Sequence, residues 1–454
     1  MDKEIGDRID TKSDTASASC DTIVALASGA LPAAIAVIRI SGPKTRNVLE
    51  AFCGGGPEPR HASLRDIGPP HLPAIDRGLV IWFPEPHSFT GEDMAELHTH
   101  GSRAVVSAVI EAMLSLDRTR LAEPGEFARR AFENGKLDLT QVEGLADLIR
   151  AETEAQRRQA LAQAEGSLRT LYEGWRAELL RAQALVEAGL DFADEGDVAT
   201  DVAVKAEAIV TPLLASISNH LAVRRGERLR DGVRIVIAGP PNVGKSSLLN
   251  VLAKRDVAIV SEEAGTTRDV LEVHLDLGGL PVILTDTAGL RETESKVEAE
   301  GVRRALSRTE GADVVLWLVD ATAPVWERPA GVGSKAAICI LNKIDLAPGG
   351  AVRDCIQISA KTGQGLDQLI EALEEQAALV AETGLGSPLM TRARHRAELD
   401  GARAALDRFG DPSLSPELKA EELRIAARHL GRLTGRIDVE EVLGTIFGEF
   451  CIGK

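Results

Sequence analysis

Apolar and polar positions alternate along the chain in three successive textures. Over residues 21–136, short apolar runs such as "AAIAVIRI" and "RGLVIWF" are cut by Pro and Gly, and one stretch, "AVVSAVIEAMLSL", spaces its apolar residues three and four apart. Strand-length runs beside an amphipathic helix predict an α+β domain. From Leu137 the spacing turns helical and stays so through "LTQVEGLADLIRAETEAQRRQALAQAEGSLRTLYEGWRAELLRAQALVEAGLDF", rich in good helix formers, until the acidic run "DFADEGD". At Gly232 the pattern changes again. "VRIVIAG", "LPVILTDTAG", "DVVLWLVD" and "AAICILNKID" are apolar runs that each end in a polar or glycine cluster and alternate with helical segments. That is the signature of a parallel α/β sheet. Beyond Val380 the pattern is helical once more.

The organisation these textures predict is a disordered lead-in over 1–20, an α+β domain over 21–136 and a helical part over 137–231. An α/β domain inserted over 232–380 follows, then a second helical part over 381–454 that packs with the first. The length of 454 residues suits about three domains. A net charge of −17 argues against a broad electrostatic grip on nucleic acid, and 3% aromatics leave little for a base-stacking platform. Cysteines stand at 20, 53, 339, 355 and 451, with no CxxC pair. They are expected to be reduced thiols of a cytoplasmic protein, with no disulfide framework. The first twenty residues carry no apolar signal region, and no apolar run approaches the roughly 20 residues that span a bilayer.

Candidate chemistry concentrates in the α/β region. "GPPNVGKSS", Gly239 to Ser247, fits G-x-x-x-x-G-K-[ST] between a strand-like run and a helical one. In such a P-loop, glycines and the backbone N–H groups of Asn242, Val243, Gly244 and Ser247 curl around phosphates. Lys245 reaches the outer phosphates, and Ser246 offers its hydroxyl to Mg²⁺. "GTTRD" follows with Thr266 and with Thr267 as a second Mg²⁺ ligand, then "DTAG", Asp286, Thr287, Ala288 and Gly289. Asp286 ends a strand near the metal, and the Gly289 N–H meets the outermost phosphate. In "NKID", Asn342, Lys343 and Asp345, the Asp345 carboxylate suits the N1–H and N2–H₂ donor pair of guanine, which adenine lacks. "SAK", Ser359, Ala360 and Lys361, faces the base carbonyl. In this order the motifs point to GTP.

Leu290 occupies the position after "DTAG" where Ras-like enzymes carry a water-orienting glutamine. Another group must do that work. Asn242 either places an oxygen for a monovalent cation beside the phosphates or is merely a good loop residue. The other candidates are the glutamates of "RETESKVEAE".

The ends of the chain add a resemblance. "AEELRIAARHLGRLTGRIDVEEVLGTIFGEFCIGK", "PGEFARRAFENGKLDLTQVEGLADLI", "SFTGEDMAEL" and "VIRISG", together with "GPPNVGKSS" and "AGTTRD", closely resemble the MnmE (TrmE) family of tRNA-modification GTPases. The likeness runs from about Asp21 to Lys454. It implies a homodimer joined through a folate-binding-like N-terminal domain, and a helical domain carrying an inserted GTPase domain. It also implies a flavoprotein partner, MnmG (GidA), with FAD, in a heterotetramer-type complex. The reaction implied adds an aminomethyl or carboxymethylaminomethyl group to C5 of wobble uridine in certain tRNAs. Its one-carbon unit would come from 5-formyl- or methylene-tetrahydrofolate.

By matching position, the resemblance makes Asn242 a K⁺ ligand, completed around Ser261, Glu263 and Thr266. It makes Glu298 the catalytic glutamate that positions water. Arg39, Glu96 and Lys136 become folate contacts, with Lys454 and Cys451 at the tail near the same pocket. Cys451 then serves as a nucleophile or acid/base, or shapes the pocket. Two stretches depart from the family: "SGALPAAIA" before the first motif, and "HGS" at 100–102 in place of HGG. The rival reading is a regulatory GTPase switch in ribosome assembly of the Era or Der type. It shares the nucleotide motifs but lacks the N-terminal region and the "CIGK" ending.

Overall fold

The computed structural model describes residues 21–191, 196–223, 225–259, 272–286, 311–327, 336–347, 354–381, 389–437, 440–448, 450 and 452–453. By internal contacts the chain divides into two units, one of residues 1–146 with 434–454 and one of 147–433.

The first unit is built on a six-stranded sheet of order β3-β4-β5-β2-β1-β6. Its strands are β1 (Thr22–Leu26), β2 (Ala33–Ser41), β3 (Ser63–Ile67), β4 (Asp76–Phe83), β5 (Met94–Gly101) and β6 (Thr119–Leu121). All pairings are antiparallel except β1 with β6. Helices α1 (Thr45–Cys53) and α2 (Arg103–Leu114) cover one face. There Val48, Leu49 and Phe52 of α1 and Val106, Val109 and Met113 of α2 pack on Val24, Ile38 and Ile40. Ser102 caps α2, its Oγ accepting from Val105 N at 3.1 Å. The alternation along β2, β4 and β5 aims the remaining residues at the other face. There Leu64, Leu79, His98 and Val37 form a row of register partners across four strands.

Three helices complete this unit: α3 (Glu126–Glu133), α4 (Leu139–Arg150), in which the division between units falls, and a C-terminal helix (Glu440–Gly448). Ala128, Leu139 and Val142 form one apolar cluster with Ile446, Phe447 and Phe450. By sequence, residues 381–454 read as a single helical part. By contact, the chain from Thr434 onward groups with the N-terminal unit.

The second unit combines helices with a second sheet. Among the described residues its helices are α5 (Glu154–Ala164), α6 (Ser167–Asp191), α7 (Gly196–Ala222) and α8 (Arg225–Asp231) before the sheet, α9 (Lys245–Leu252) and α10 (Leu366–Ala381) within the sheet region, and α11 (Ala393–Phe409) and α12 (Pro416–Thr434) after it. Leu168, Tyr172, Trp175 and Leu179 of α6 repeat at helical spacing, and they pack with Val210, Leu213 and Ile217 of α7, Leu399 and Leu406 of α11 and Leu423 and Leu430 of α12. The stretch 202–231 is long and apolar enough to cross a membrane by length and composition. Of its apolar residues, Ala206, Val210, Leu213, Ile217 and Leu221 are buried in this helical core, whereas Val204 and Val223 are exposed.

The inserted sheet has order β12-β11-β10-β7-β9-β8. Its strands are β7 (Val233–Ala238), β8 (Glu272–Leu277), β9 (Leu280–Asp286), β10 (Val314–Asp320), β11 (Ala336–Asn342) and β12 (Cys355–Gln357). Among the described strands only β8 runs antiparallel. It joins β9 through Gly278 and Gly279, whose φ values of 60° and 85° suit a two-residue hairpin. The central strand β7 lies between β10 and β9, so its carboxyl end opens at a topological switch point, where α/β sheets bind ligands.

Asp147 braces both crossings between helices and sheet. Its Oδ1 accepts from Arg230 Nε at 3.2 Å, just before β7, and from Arg392 Nη2 at 2.8 Å, where the chain returns. Thr391 adds a hydrogen bond from its Oγ1 to Gln163 Oε1 at 3.1 Å.

One expectation is corrected here. Cys339 and Cys355 are joined by a disulfide rather than standing as free thiols. They are register partners in the parallel pair β11–β12, which brings their side chains to the same face of the sheet. A separation of 16 residues concealed that pairing until the strands were aligned.

Candidate active site

The nucleotide loop emerges from β7 and turns into α9. Gly239 and Gly244 are required by close approach. A Cβ on Gly239 would meet Leu318 O at 2.6 Å, and one on Gly244 would meet Asn342 Nδ2 at 2.4 Å, both at φ values of the left-handed region. Asn242 also takes a positive φ, 60°, with its side chain exposed at the loop crest. Lys245 is buried, and its Nζ donates to Gly239 O at 3.1 Å and Pro240 O at 3.0 Å. Its ammonium therefore curls over the loop. Ser246 Oγ donates to Asp286 Oδ2 at 2.6 Å. Asp286 is fully buried at the end of β9, so a hydroxyl and a carboxylate meet at the start of α9. Two hard oxygens in contact are the donor set Mg²⁺ takes beside phosphates.

The base-reading loops lie at the ends of β11 and β12. Asn342 is buried, and its Nδ2 donates to Val243 O at 2.8 Å while its Oδ1 accepts from Ala360 N at 3.0 Å. Lys343 Nζ donates to Asn242 O at 2.7 Å and pairs with Asp320. Burial alone would raise the Asp320 carboxyl, but Lys343 and Thr322 outweigh it and hold the group below the usual range. Ser359 Oγ donates to Asp345 Oδ1 at 2.7 Å, leaving the carboxylate oriented by its neighbour loop. Lys361 is exposed at the rim. The structure thus brings Asn242, Val243, Gly244, Lys245, Ser246, Asp286, Asn342, Lys343, Asp345, Ser359 and Ala360 into one connected site. Lys343 and Asp320 bracing the phosphate loop was not read from the sequence, and only the strand-end position of Asp320 signalled it. Ser261, Glu263, Thr266, Thr267, Thr287, Ala288, Gly289, Leu290 and Glu298 lie outside the described residues, as do residues 1–20.

The first unit carries a second polar site on its sheet face. Arg39 and Glu96 are register partners on β2 and β5, and Arg39 Nη2 meets Glu96 Oε1 at 3.0 Å. The Arg39 guanidinium also lies 5.7 Å from the ring centres of Phe89 and of Phe127. Its Nη1 donates to Gly453 O at 3.4 Å, and Ile452 bridges Pro124. His98 Nε2 is 3.4 Å from Glu96 Oε2, whereas His100 Nδ1 pairs with Asp76 at 2.8 Å. Lys136 Nζ donates to Pro86 O at 2.8 Å. Cys451 and Lys454 lie outside the described residues.

The motif "PGEF" has a physical reason here. Gly125, at φ 69°, lets Phe447 O approach to 2.5 Å of where a Cβ would stand. Glu126 is buried between Arg120 and Arg130, with contacts of 2.6 and 3.0 Å. Burial would raise its carboxyl, but the arginines and the Glu123 N–H prevail and hold it below the usual range.

Residues 22–136 match the GTP-binding protein TrmE N-terminus, and residues 139–451 match the MnmE helical domain. The chain belongs to the MnmE family. A tRNA modification GTPase MnmE of Rhodopseudomonas palustris (strain ATCC BAA-98 / CGA009) is 53% identical over 445 residues, covering 96% of this chain and 99% of that protein. Its counterpart in Brucella melitensis biotype 1 is 52% identical over 440 residues, covering 96% and 98%. Among solved structures, Era of Aquifex aeolicus bound to GDP·AlF₄⁻ is 26% identical over 40% of this chain and 69% of that one, with a TM-score of 0.24. Family membership makes the protein a GTP-hydrolysing enzyme of tRNA modification.

Proposed function

We propose that this chain hydrolyses GTP with K⁺ assistance to drive modification of C5 of wobble uridine in tRNA. It acts as a cytoplasmic homodimer with an MnmG-type flavoprotein that carries FAD. The observation that carries the reading is a connected loop site around Asn342, Asp345 and Ser359 in a chain that also has an Arg39–Glu96 pair of the kind a folate needs. A carboxylate suits the donor edge of a pterin, and a guanidinium suits carboxylates. The open sheet face, with Ile35 and Leu64 more than half exposed, supports dimerisation through the first unit.

In the GTPase step, Lys245 and the loop N–H groups hold the phosphates, and Asp345 holds the base. Mg²⁺, gathered by Ser246 and Asp286 with Thr267, would neutralise charge on the phosphate oxygens. Asn242 offers its oxygen to K⁺, with Ser261, Glu263 and Thr266 supplying the rest of the shell. Glu298 orients the attacking water in place of the glutamine that Leu290 replaces. Lys136 and Lys454 contact the one-carbon folate, a 5-formyl or methylene form, beside Arg39 and Glu96. Cys451 acts at or shapes the same pocket.

GTP turnover in K⁺ and Na⁺ at matched ionic strength, with Asn242→Ala alongside, tests the reading. K⁺ is expected to raise turnover strongly, and the substitution to erase the difference. Equal rates in both salts overturn the K⁺ assignment. Normal wobble uridine in tRNA from a deletion strain, with a ribosomal subunit defect, would favour the assembly-switch reading instead.

A further inference from the structure

The disulfide Cys339–Cys355 sits directly behind the guanine-reading loops. β11 runs from Cys339 into Asn342, Lys343 and Asp345, and β12 runs from Cys355 into Ser359 and Ala360. Beyond the bond the loops are joined again, through Asn342 to Ala360 and Ser359 to Asp345. β12 is an edge strand of three residues, and β11 is its neighbour in the sheet. So short an edge strand is weakly pinned by its ladder alone.

We propose that Cys339 and Cys355 form a reversible thiol–disulfide modification site that sets how firmly the guanine pocket holds its nucleotide. Forming the bond removes two protons and two electrons from the thiols. A low-molecular-weight disulfide accepts them and leaves as two thiols. In the reverse direction an incoming thiolate attacks Cys355 Sγ, because Cys355 is half-buried whereas Cys339 is buried in an apolar patch with Val315, Trp317 and Leu341. Cys339 departs as the thiolate and takes a proton, and a second thiol resolves the mixed disulfide. Among the described residues the free cysteine is Cys53, buried in the first unit's core with its thiol pushed up to about 12 by burial, so it does not compete.

The bond holds β12 and its loop at one spacing from the Asn342–Asp345 loop. The nucleotide then meets a pre-organised pocket, and the cost of ordering the loop side chains is removed from binding. Reduction is expected to speed GDP release about fivefold.

The inference rests on the GTP-site reading, and its test separates the two. The full-length protein is equilibrated with mixtures of reduced and oxidised glutathione. Differential alkylation with mass mapping reports the state of each cysteine, and stopped flow follows release of a fluorescent GDP. The expected result is slow release when Cys339 and Cys355 are linked and about fivefold faster release when they are not. Cys355→Ser, whose hydroxyl stays hydratable at this half-buried position, should release at the fast rate at every potential. Cys339→Ala should do the same. Identical release rates for linked and reduced protein overturn the proposal, as does alkylation of both cysteines in every mixture. Failure to bind GDP in either state would instead count against the GTP-site reading.

Discussion

The buried amide of Asn342 clasps the phosphate loop at Val243, 2.8 Å from its carbonyl, while its other end holds Ala360 N at 3.0 Å. The loop after β7 and the loop after β12 are therefore held by one side chain. Asn342→Ala leaves a buried acceptor and a buried donor without this partner, at about 1–3 kcal/mol each. A lowered melting temperature and at least about tenfold weaker GDP binding are expected. Unchanged GDP affinity in a titration would show that the clasp is dispensable.

Asp345 should decide which base is accepted. Its carboxylate is aimed by Ser359, and Asp345→Asn replaces an acceptor for two base donors with a group that donates. Affinity for GTP is expected to fall about a hundredfold or more, while xanthosine triphosphate, with an oxygen at C2, gains. Competition binding with the two nucleotides measures the exchange.

Asp147 should matter to stability rather than to chemistry. It receives both Arg230 and Arg392, and Asp147→Ala strips a largely buried carboxylate from two guanidinium groups. Breaking such a pair costs about 3 kcal/mol or more. Thermal melts should show the loss, and GTP turnover measured well below the transition should survive. A melt equal to that of the parent would remove Asp147 as a brace.

Acid should weaken the helical core through His220. Burial lowers its pKa from 6.5 to about 4, with the charges of His395 and Arg396 adding to the effect, and its ring packs edge-on to Tyr172 and Trp175. The unfolded chain takes up a proton below about 6.5 while the folded chain resists until about 4. Stability is therefore full above that window and falls as pH drops through it, by at most about 3 kcal/mol. His220→Phe should flatten the dependence of denaturant midpoints between pH 7 and pH 4.5.

The motif-bearing loops were legible because each motif is local. Each lies within a few residues at the end of an apolar run, and strand polarity then brings the runs' carboxyl ends together. "AAIAVIRI" and "RGLVIWF" became β2 and β4 for the same reason. What escaped was non-local. The pairing of Cys339 with Cys355 depends on strand register. Asp147, Arg230 and Arg392 come from three distant segments. The helical period of the last segment shows that Ile446 and Phe447 need a partner, but not that Ala128, Leu139 and Val142 supply it.

That last packing carries a consequence for biosynthesis. A ribosome delivers β1 to β6 long before it delivers residues 434–453, yet Arg39, Pro124 and Gly125 all hold contacts to that late segment. Domains generally mature in the order they are translated. Here the earliest domain stays unfinished, with Ala128, Leu139 and Val142 lacking their apolar cover, until nearly everything after it has been made.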